Sequence, residues 1–243
     1  FADCTGDAAL GVLAGANCVM GRESFDEYGE PSAPLESDGI TLGASVQWYS
    51  EEEDEPTCFP DIDWGLPIDE NTVQKVRRGQ WYWEVGMMDD QIAEAEKIRD
   101  YGMYVAYSNW SYIKNHSSFR DEYAKSAMKW LSYYAGKRES RRILGEFVLR
   151  EQDLRDFTIY EDGCVCTSWY IDNHEPDPGN AAVFKDPWLS RGCLTPLDFY
   201  PIPFRCFYSK DVRNMFMAGR DISVSHLALG TTRVMRTCAM MGE

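Results

Sequence analysis

No stretch of this sequence approaches the ~20 consecutive apolar residues that a membrane-spanning helix needs, and no signal peptide opens it. Positive charge is scarce. Lys and Arg number 24 against 40 Asp and Glu, a formal net charge of −16, which repels duplex nucleic acid and anionic bilayers. Neither is therefore expected as a partner. Histidine is scarcer still, three in 243 residues, so a metal centre built on imidazoles has little to draw on. The eight cysteines are scattered. Only Cys164-Val165-Cys166 brings two together, and no Cys-x-x-Cys accompanies it. They read as buried free thiols rather than metal ligands, and no metal is expected. Nothing sets an oligomeric state, and cytoplasmic and periplasmic locations stay open. The first residue is Phe1 rather than Met, which points to a segment removed or omitted upstream.

What is present is apolar and aromatic material. Hydrophobic residues make up 44% and aromatics 14%, with eight Trp and fourteen Tyr. A disordered chain is poor in these types, and the length suits one large domain or two modest ones. The acidic run Glu51 to Glu55 reads as a solvated loop. Residues 1–20 read as a strand end, a Thr5-Gly6-Asp7 turn and a small-residue helix, and residues 22–38 as loop. Ile40 to Tyr49 alternates apolar and polar as a strand does. A helix is expected from Asp89-Asp90 to Tyr101-Gly102. A second, capped by Ser117 or Ser118, would run towards Gly136 with Tyr123, Ala127, Trp130, Leu131 and Tyr134 on its core face. Strands are expected at 143–149, 164–172, 203–208 and 214–218, a long loop at 173–200, and a closing helix from about Arg233 to Met241. The mixture gives an α/β class with α+β character.

Two glycine-marked turns, Thr5-Gly6-Asp7 and Gly230-Thr231-Thr232, lie at opposite ends of the chain. Glycine lets backbone N–H groups come close to a ligand, and a helix start adds partial positive charge. Equally, each turn serves as a plain connection. Several blocks carry more information when taken in order. They are Asp3-Cys4-Thr5-Gly6-Asp7, Gly136-Lys137-Arg138-Glu139-Ser140-Arg141-Arg142-Ile143-Leu144-Gly145, Ile202-Pro203-Phe204-Arg205-Cys206, and Ala218-Gly219-Arg220-Asp221-Ile222-Ser223, followed by His226 and Gly230-Thr231-Thr232-Arg233. Over nearly the whole chain this order resembles the bacterial FAD-dependent oxidoreductase family of the glutathione-reductase-like superfold, some of whose members adjoin polysaccharide-degradation genes.

The resemblance implies roles by position. Thr5, Gly6 and Asp7 would flank FAD. Gly219, Arg220 and Asp221 would form the late FAD motif, with Asp221 at the ribitol. Gly230, Thr231 and Arg233 would open a helix at the flavin's pyrimidine edge, and His226 would face the flavin. Residues 1–21 and 206–243 would be a partial FAD-binding domain, and 22–205 a mixed sheet-and-helix substrate domain. The family's opening strand and Gly-x-Gly-x-x-Gly turn, which hold the pyrophosphate, do not occur in these residues. The expectation is a fragment, whose own hold on FAD would lack that support.

Oxidation of an alcohol at a flavin needs a base for the hydroxyl proton, and His is the usual one near neutrality. His226 is the candidate, with a turn-shaping His as the alternative. His174 and Tyr170, beside the long loop, would bind substrate, and His116 would be structural. Arg138, Arg141, Arg142 and Arg205 have the guanidinium fork that clamps carboxylates or orients sugar hydroxyls. Of these Arg138 and Arg205 are placed with the catalytic group and Arg141 with substrate. Salt bridges, for example to Glu139, are the alternative. Trp81, Trp83, Trp110, Trp130 and Trp169 would stack a sugar ring or fill a core. The functional expectation is hydride transfer between an organic substrate, a sugar derivative by the resemblance, and flavin. Its rivals are a cofactor-free carbohydrate-binding module and a polysaccharide lyase.

Overall fold

In the computed structural model, which describes residues 1–243 in full, the chain runs β1 (Ala2–Asp3), α1 (Ala9–Leu13), β2 (Cys18–Val19), α2 (Phe25–Tyr28), β3 (Trp48–Glu52), α3 (Ala95–Asn115), β4 (Ser126–Leu131), β5 (Arg142–Ile143), α4 (Glu151–Arg155), β6 (Gly163–Thr167), β7 (Ile171–Pro176), α5 (Pro178–Val183), β8 (Ser190–Thr195), β9 (Tyr200–Pro203), β10 (Phe216–Met217), α6 (His226–Thr232) and α7 (Met235–Gly242). The strands form five two-stranded sheets. This mixed helix-and-strand content is the α/β class expected. β1 and β10, from the two ends of the chain, pair in parallel. The other pairs, β2–β5, β3–β4, β6–β9 and β7–β8, are antiparallel. No helix is long and apolar enough to cross a membrane.

Two apolar cores hold these small sheets. One gathers Ala8, Ile143, Leu149, Leu154, Ile171, Ile202, Met217, Ile222 and Leu229 between α1, α4, α6 and the short strands. The other is built on tryptophan. Trp48, Trp83, Trp110 and Trp188 are all buried, with ring centroids at 5.7 Å (48–83), 5.4 Å (48–110) and 5.2 Å (83–188). Trp83 and Trp110 are thus core residues, while Trp81, Trp130 and Trp169 are exposed. α3 covers this second core with Ile98, Val105, Ala106, Trp110 and Ile113. It runs a further thirteen residues past Gly102. That glycine is tolerated because Val46 packs where a side chain would go, its Cγ2 lying 2.5 Å from a Cβ built there.

Several sequence expectations change. The helix expected after Ser117 is a single 3-10 turn, Arg120–Tyr123, and then strand β4. Trp130 lies opposite Tyr49 in the β3–β4 register, their rings stacked at 5.9 Å. Cross-strand pairing thus decides over helical spacing. The expected loop 173–200 is mostly ordered, with β7, α5, β8 and the start of β9. Asp177 caps α5, its side chain accepting from Asn180 N–H, and Pro178 opens the first turn. The strand expected at 203–208 shifts back to β9, and 204–206 turn as a 3-10 helix. Cys164 and Cys166 are exposed, not buried. They lie on the face of β6 that turns away from Val165 and Thr167, which are buried.

Candidate active site

The blocks that stand apart in the sequence meet around the segment 218–224. Asp3 Oδ1 accepts the Thr5 N–H (3.0 Å) and hydroxyl (2.7 Å), and Oδ2 accepts Gly11 N–H (2.8 Å), so β1 and α1 are tied to one carboxylate. Gly6 sits at φ 68°, in the left-handed region. A Cβ there would come within 2.6 Å of the Arg220 guanidinium. The 136–145 block closes over the same turn. Lys137 pairs with Asp7 (2.7 Å), Ser140 Oγ donates to Asp7 (2.7 Å), and Arg141 Nε donates to the Asp7 carbonyl (3.0 Å). Ile143 N–H donates to the Asp221 carbonyl (2.9 Å), Leu149 N–H to that of Ser223 (3.2 Å), and Ser223 N–H to that of Cys206 (3.0 Å). Asp221 itself is wholly buried and faces Asp3. Burial, and then the Asp3 carboxylate, push it up to about 8.

Beyond this junction, a cavity of about 220 Å³ is lined by two of the three histidines, His174 and His226, with Arg22, Glu23, Glu30 and Asn173 among its walls. The two rings are held differently. His174, on β7, is clasped at both nitrogens. Nδ1 bonds to Glu84, and Nε2 lies 3.0 Å from Asp172 Oδ1. Burial opposes its charge, but these two carboxylates outweigh it and hold the ring above its usual range. Both nitrogens face carboxylates, so neither is free to take a substrate proton.

His226 opens α6, and its Nδ1 lies 3.0 Å from Glu139 Oε2. Glu139 is fully buried and also paired with Arg142. Burial would raise the Glu139 pKa, but the charges of His226 and Arg142 prevail and lower it. When the ring is neutral, the Glu139 carboxylate accepting from Nδ1 sets the tautomer, and Nε2, which has no protein partner and is not among the sealed atoms, is the acceptor on the cavity side. The two networks touch through consecutive peptides. Leu42 N–H donates to Glu139 (2.8 Å) and Gly43 N–H to Glu84 (3.1 Å).

The other sequence candidates divide. Arg138 joins the His174 network, its Nε 3.3 Å from Glu84. Arg233 lies across from it, with Nη2 3.0 Å from the Asp172 carbonyl. Arg142 is sealed between Glu23 and Glu139. Arg205 is not brought to the histidines. It pairs with Asp162 (2.9 Å) and lies over Phe147 and Tyr160. Arg141 serves the Asp7 turn, and Tyr170 is exposed outside the cavity wall. His116 is exposed and pairs with Asp61 (2.7 Å). Gly230 and Thr231 do not open a helix. Ser225 caps α6 by accepting Ala228 N–H (3.1 Å), which places both residues in its second half. There Gly230 makes room for Asn173, and the Thr231 hydroxyl donates to the Trp169 carbonyl (2.6 Å). The helix that starts after them is α7, with Val234 at its N-cap.

A family model described as FAD dependent oxidoreductase matches residues 1–243, the full length. The chain belongs to that family. Comparison with curated proteins and with solved structures gives no match.

Membership in the FAD dependent oxidoreductase family implies FAD, and one feature of the structure tests the fit. Buried side-chain polar atoms without a partner fall on four Trp indoles and two Gln, and otherwise only on Asn173, Asp221, Ser223, Thr232 and Arg233. Unmet polar atoms cost about 1–3 kcal/mol each. Here they gather on residues 221–233 and on the strand residue that packs against Gly230. By type the set offers a donor in Arg233 Nε, an acceptor in Asn173 and two hydroxyls, which matches a ligand that carries both N–H and carbonyl groups, as a flavin ring does. The atoms are sealed from solvent, and of these residues only Asn173 lines the cavity.

The sequence did not single out Glu23, Glu30 and Glu84. Glu84 leaves a trace, a carboxylate inside the aromatic run Trp81-Tyr82-Trp83-Glu84-Val85, where a charge is buried only when paired. Glu23 and Glu30 lie in a segment read as loop and leave none.

Proposed function

We propose that this chain supplies the substrate-side machinery of an FAD-dependent oxidoreductase that takes a hydride from an organic alcohol, a sugar derivative by the sequence resemblance. Both chain ends, 1–21 and 206–243, form the cofactor side, and residues 22–205 form the substrate side. Asn173, Thr232 and Arg233 carry sealed polar atoms without a protein partner, and these would hold the flavin on opening to it. When bound, FAD supplies the two-electron acceptor.

The observation that carries the reading is His226, with Nδ1 fixed on a buried carboxylate and Nε2 open to a cavity. This is the arrangement of a base oriented by a third group. His226 Nε2 accepts the substrate hydroxyl proton. Glu139 then stabilises the imidazolium, and Arg142 keeps Glu139 ionised. His174 takes no part in proton transfer, because both of its nitrogens are engaged.

The test is reconstitution with FAD, followed by a screen of alcohols for bleaching of the flavin absorbance. His226→Gln should retain flavin and slow bleaching by about 10²–10⁴-fold, the usual worth of a positioned base. A protein that takes up no flavin, or a variant as fast as the parent, defeats the proposal.

A further inference from the structure

Among the carboxylates in the cavity wall, all but one are matched by a cation. Glu23 pairs with Arg142 (2.7 Å), Glu151 with Arg155 (2.6 Å), and Glu175 with Arg191 (3.1 Å) and Arg22 (3.7 Å). Glu30 has none, although it is 1% exposed. Its Oε1 is saturated, taking the Glu151 N–H (2.7 Å) and the Ser225 hydroxyl. Its Oε2 has no protein partner and is not among the sealed, unpaired atoms, so it reaches the cavity that Glu30 lines. The cations of the same wall are already committed. Arg22 is spent on Asp38, and His174 is clasped at both nitrogens. A ligand anion entering here meets carboxylates and no free positive charge.

We propose that Glu30 is a substrate-contacting residue, bonding a hydroxyl group of an uncharged polyhydroxy compound through Oε2, and that the cavity rejects the carboxylate form of the same compound. The inference rests on reading this cavity as the substrate site. Burial, together with the nearby Glu23 and Glu151 carboxylates, raises the Glu30 pKa against the pull of its two hydrogen bonds. Oε2 accepts from a ligand hydroxyl, and whenever Glu30 carries a proton it also donates to one. Glu30 and Glu23 also hold the two residues that begin α6, Ser225 by its hydroxyl and His226 by its N–H (2.9 Å). The contact group and the base are therefore fixed to one turn of chain.

Binding of three ring-matched probes to the protein, D-glucose, D-glucuronate and D-glucosamine, tests this by calorimetry or saturation-transfer NMR and requires no flavin. Glucose should bind, and glucuronate should bind about tenfold or more weakly, the ratio expected for one unmet polar contact. Glu30→Gln, which keeps a donor and an acceptor, should stay within about threefold for glucose, and Glu30→Leu should lose about tenfold. If Glu30→Leu fails to fold, the glucose-to-glucuronate ratio and Glu30→Gln still decide. Equal or tighter binding of glucuronate, tighter binding of glucosamine, unchanged binding by Glu30→Leu, or no binding of any probe overturns the proposal. Absence of flavin uptake would instead count against the oxidoreductase reading and leave this ratio standing.

Discussion

Asp221→Asn should change how stability depends on pH, because Asp221 and Asp3 face each other at the junction of the chain ends. Asp221 is wholly buried, and its pKa is pushed up to about 8 by burial and by Asp3. The folded protein therefore holds a proton that the unfolded chain releases near pH 4. Stability is greatest below that range and declines as pH rises through about 8, at about 1.4 kcal/mol per pH unit. Asp3 has the opposite sign. Burial works against its charge, but the Thr5 and Gly11 donors prevail and its pKa is lowered. Its contribution is complete once pH exceeds the ordinary carboxylate range and does not enter the comparison above pH 5. Between pH 5 and 8 the parent should thus lose up to about 4 kcal/mol relative to Asp221→Asn, which keeps the shape and does not titrate. Urea unfolding of both proteins at pH 5, 6.5 and 8 measures this. Curves that run parallel across the range would refute a proton held on Asp221 in the fold.

Two further substitutions probe the supports of the histidines. Arg142→Met removes the only cation between two buried carboxylates, Glu23 and Glu139, and should cost about 3–5 kcal/mol in chemical denaturation. A loss below 1 kcal/mol would mean that Glu139 is not ionised in the fold. Gly230→Ala places a methyl against Asn173 Oδ1 and 3.0 Å from Asp172 N. It should cost about 1–3 kcal/mol by overpacking, read as a lowered denaturation midpoint. An unchanged midpoint would show that α6 and β7 are not packed this tightly.

The sequence marked the junction better than the cavity. The Asp3–Asp7, 136–145 and 218–223 blocks were legible because each carries local chemistry in order: a turn glycine, a run of guanidinium groups, a Gly-Arg-Asp turn. Their contact in space follows from the β1–β10 pairing. His226 is legible as a candidate base because it stands beside the Gly219-Arg220-Asp221 turn that the resemblance places at the flavin. Its orientation is not, since Glu139 reaches it from 87 residues away. The prolines of the long span 173–200 read as loop signals, whereas Asp177-Pro178 is a helix start and the β7–β8 strands bind each other. Gly230-Thr231 was placed one helix too late. Ser225, which caps the helix, follows Ser223 in an alternating apolar-polar stretch, Asp221-Ile222-Ser223-Val224-Ser225, that reads as strand and hides the cap. The pairing of Trp130 with Tyr49 across β3–β4 depends on register, which helical spacing within one segment cannot reveal.

Leu42 and Gly43 give two neighbouring amides to two different buried carboxylates, one serving each histidine. One step of backbone therefore sets the place of both carboxylates, and any substitution that shifts residues 42–43 disturbs the supports of His174 and His226 together.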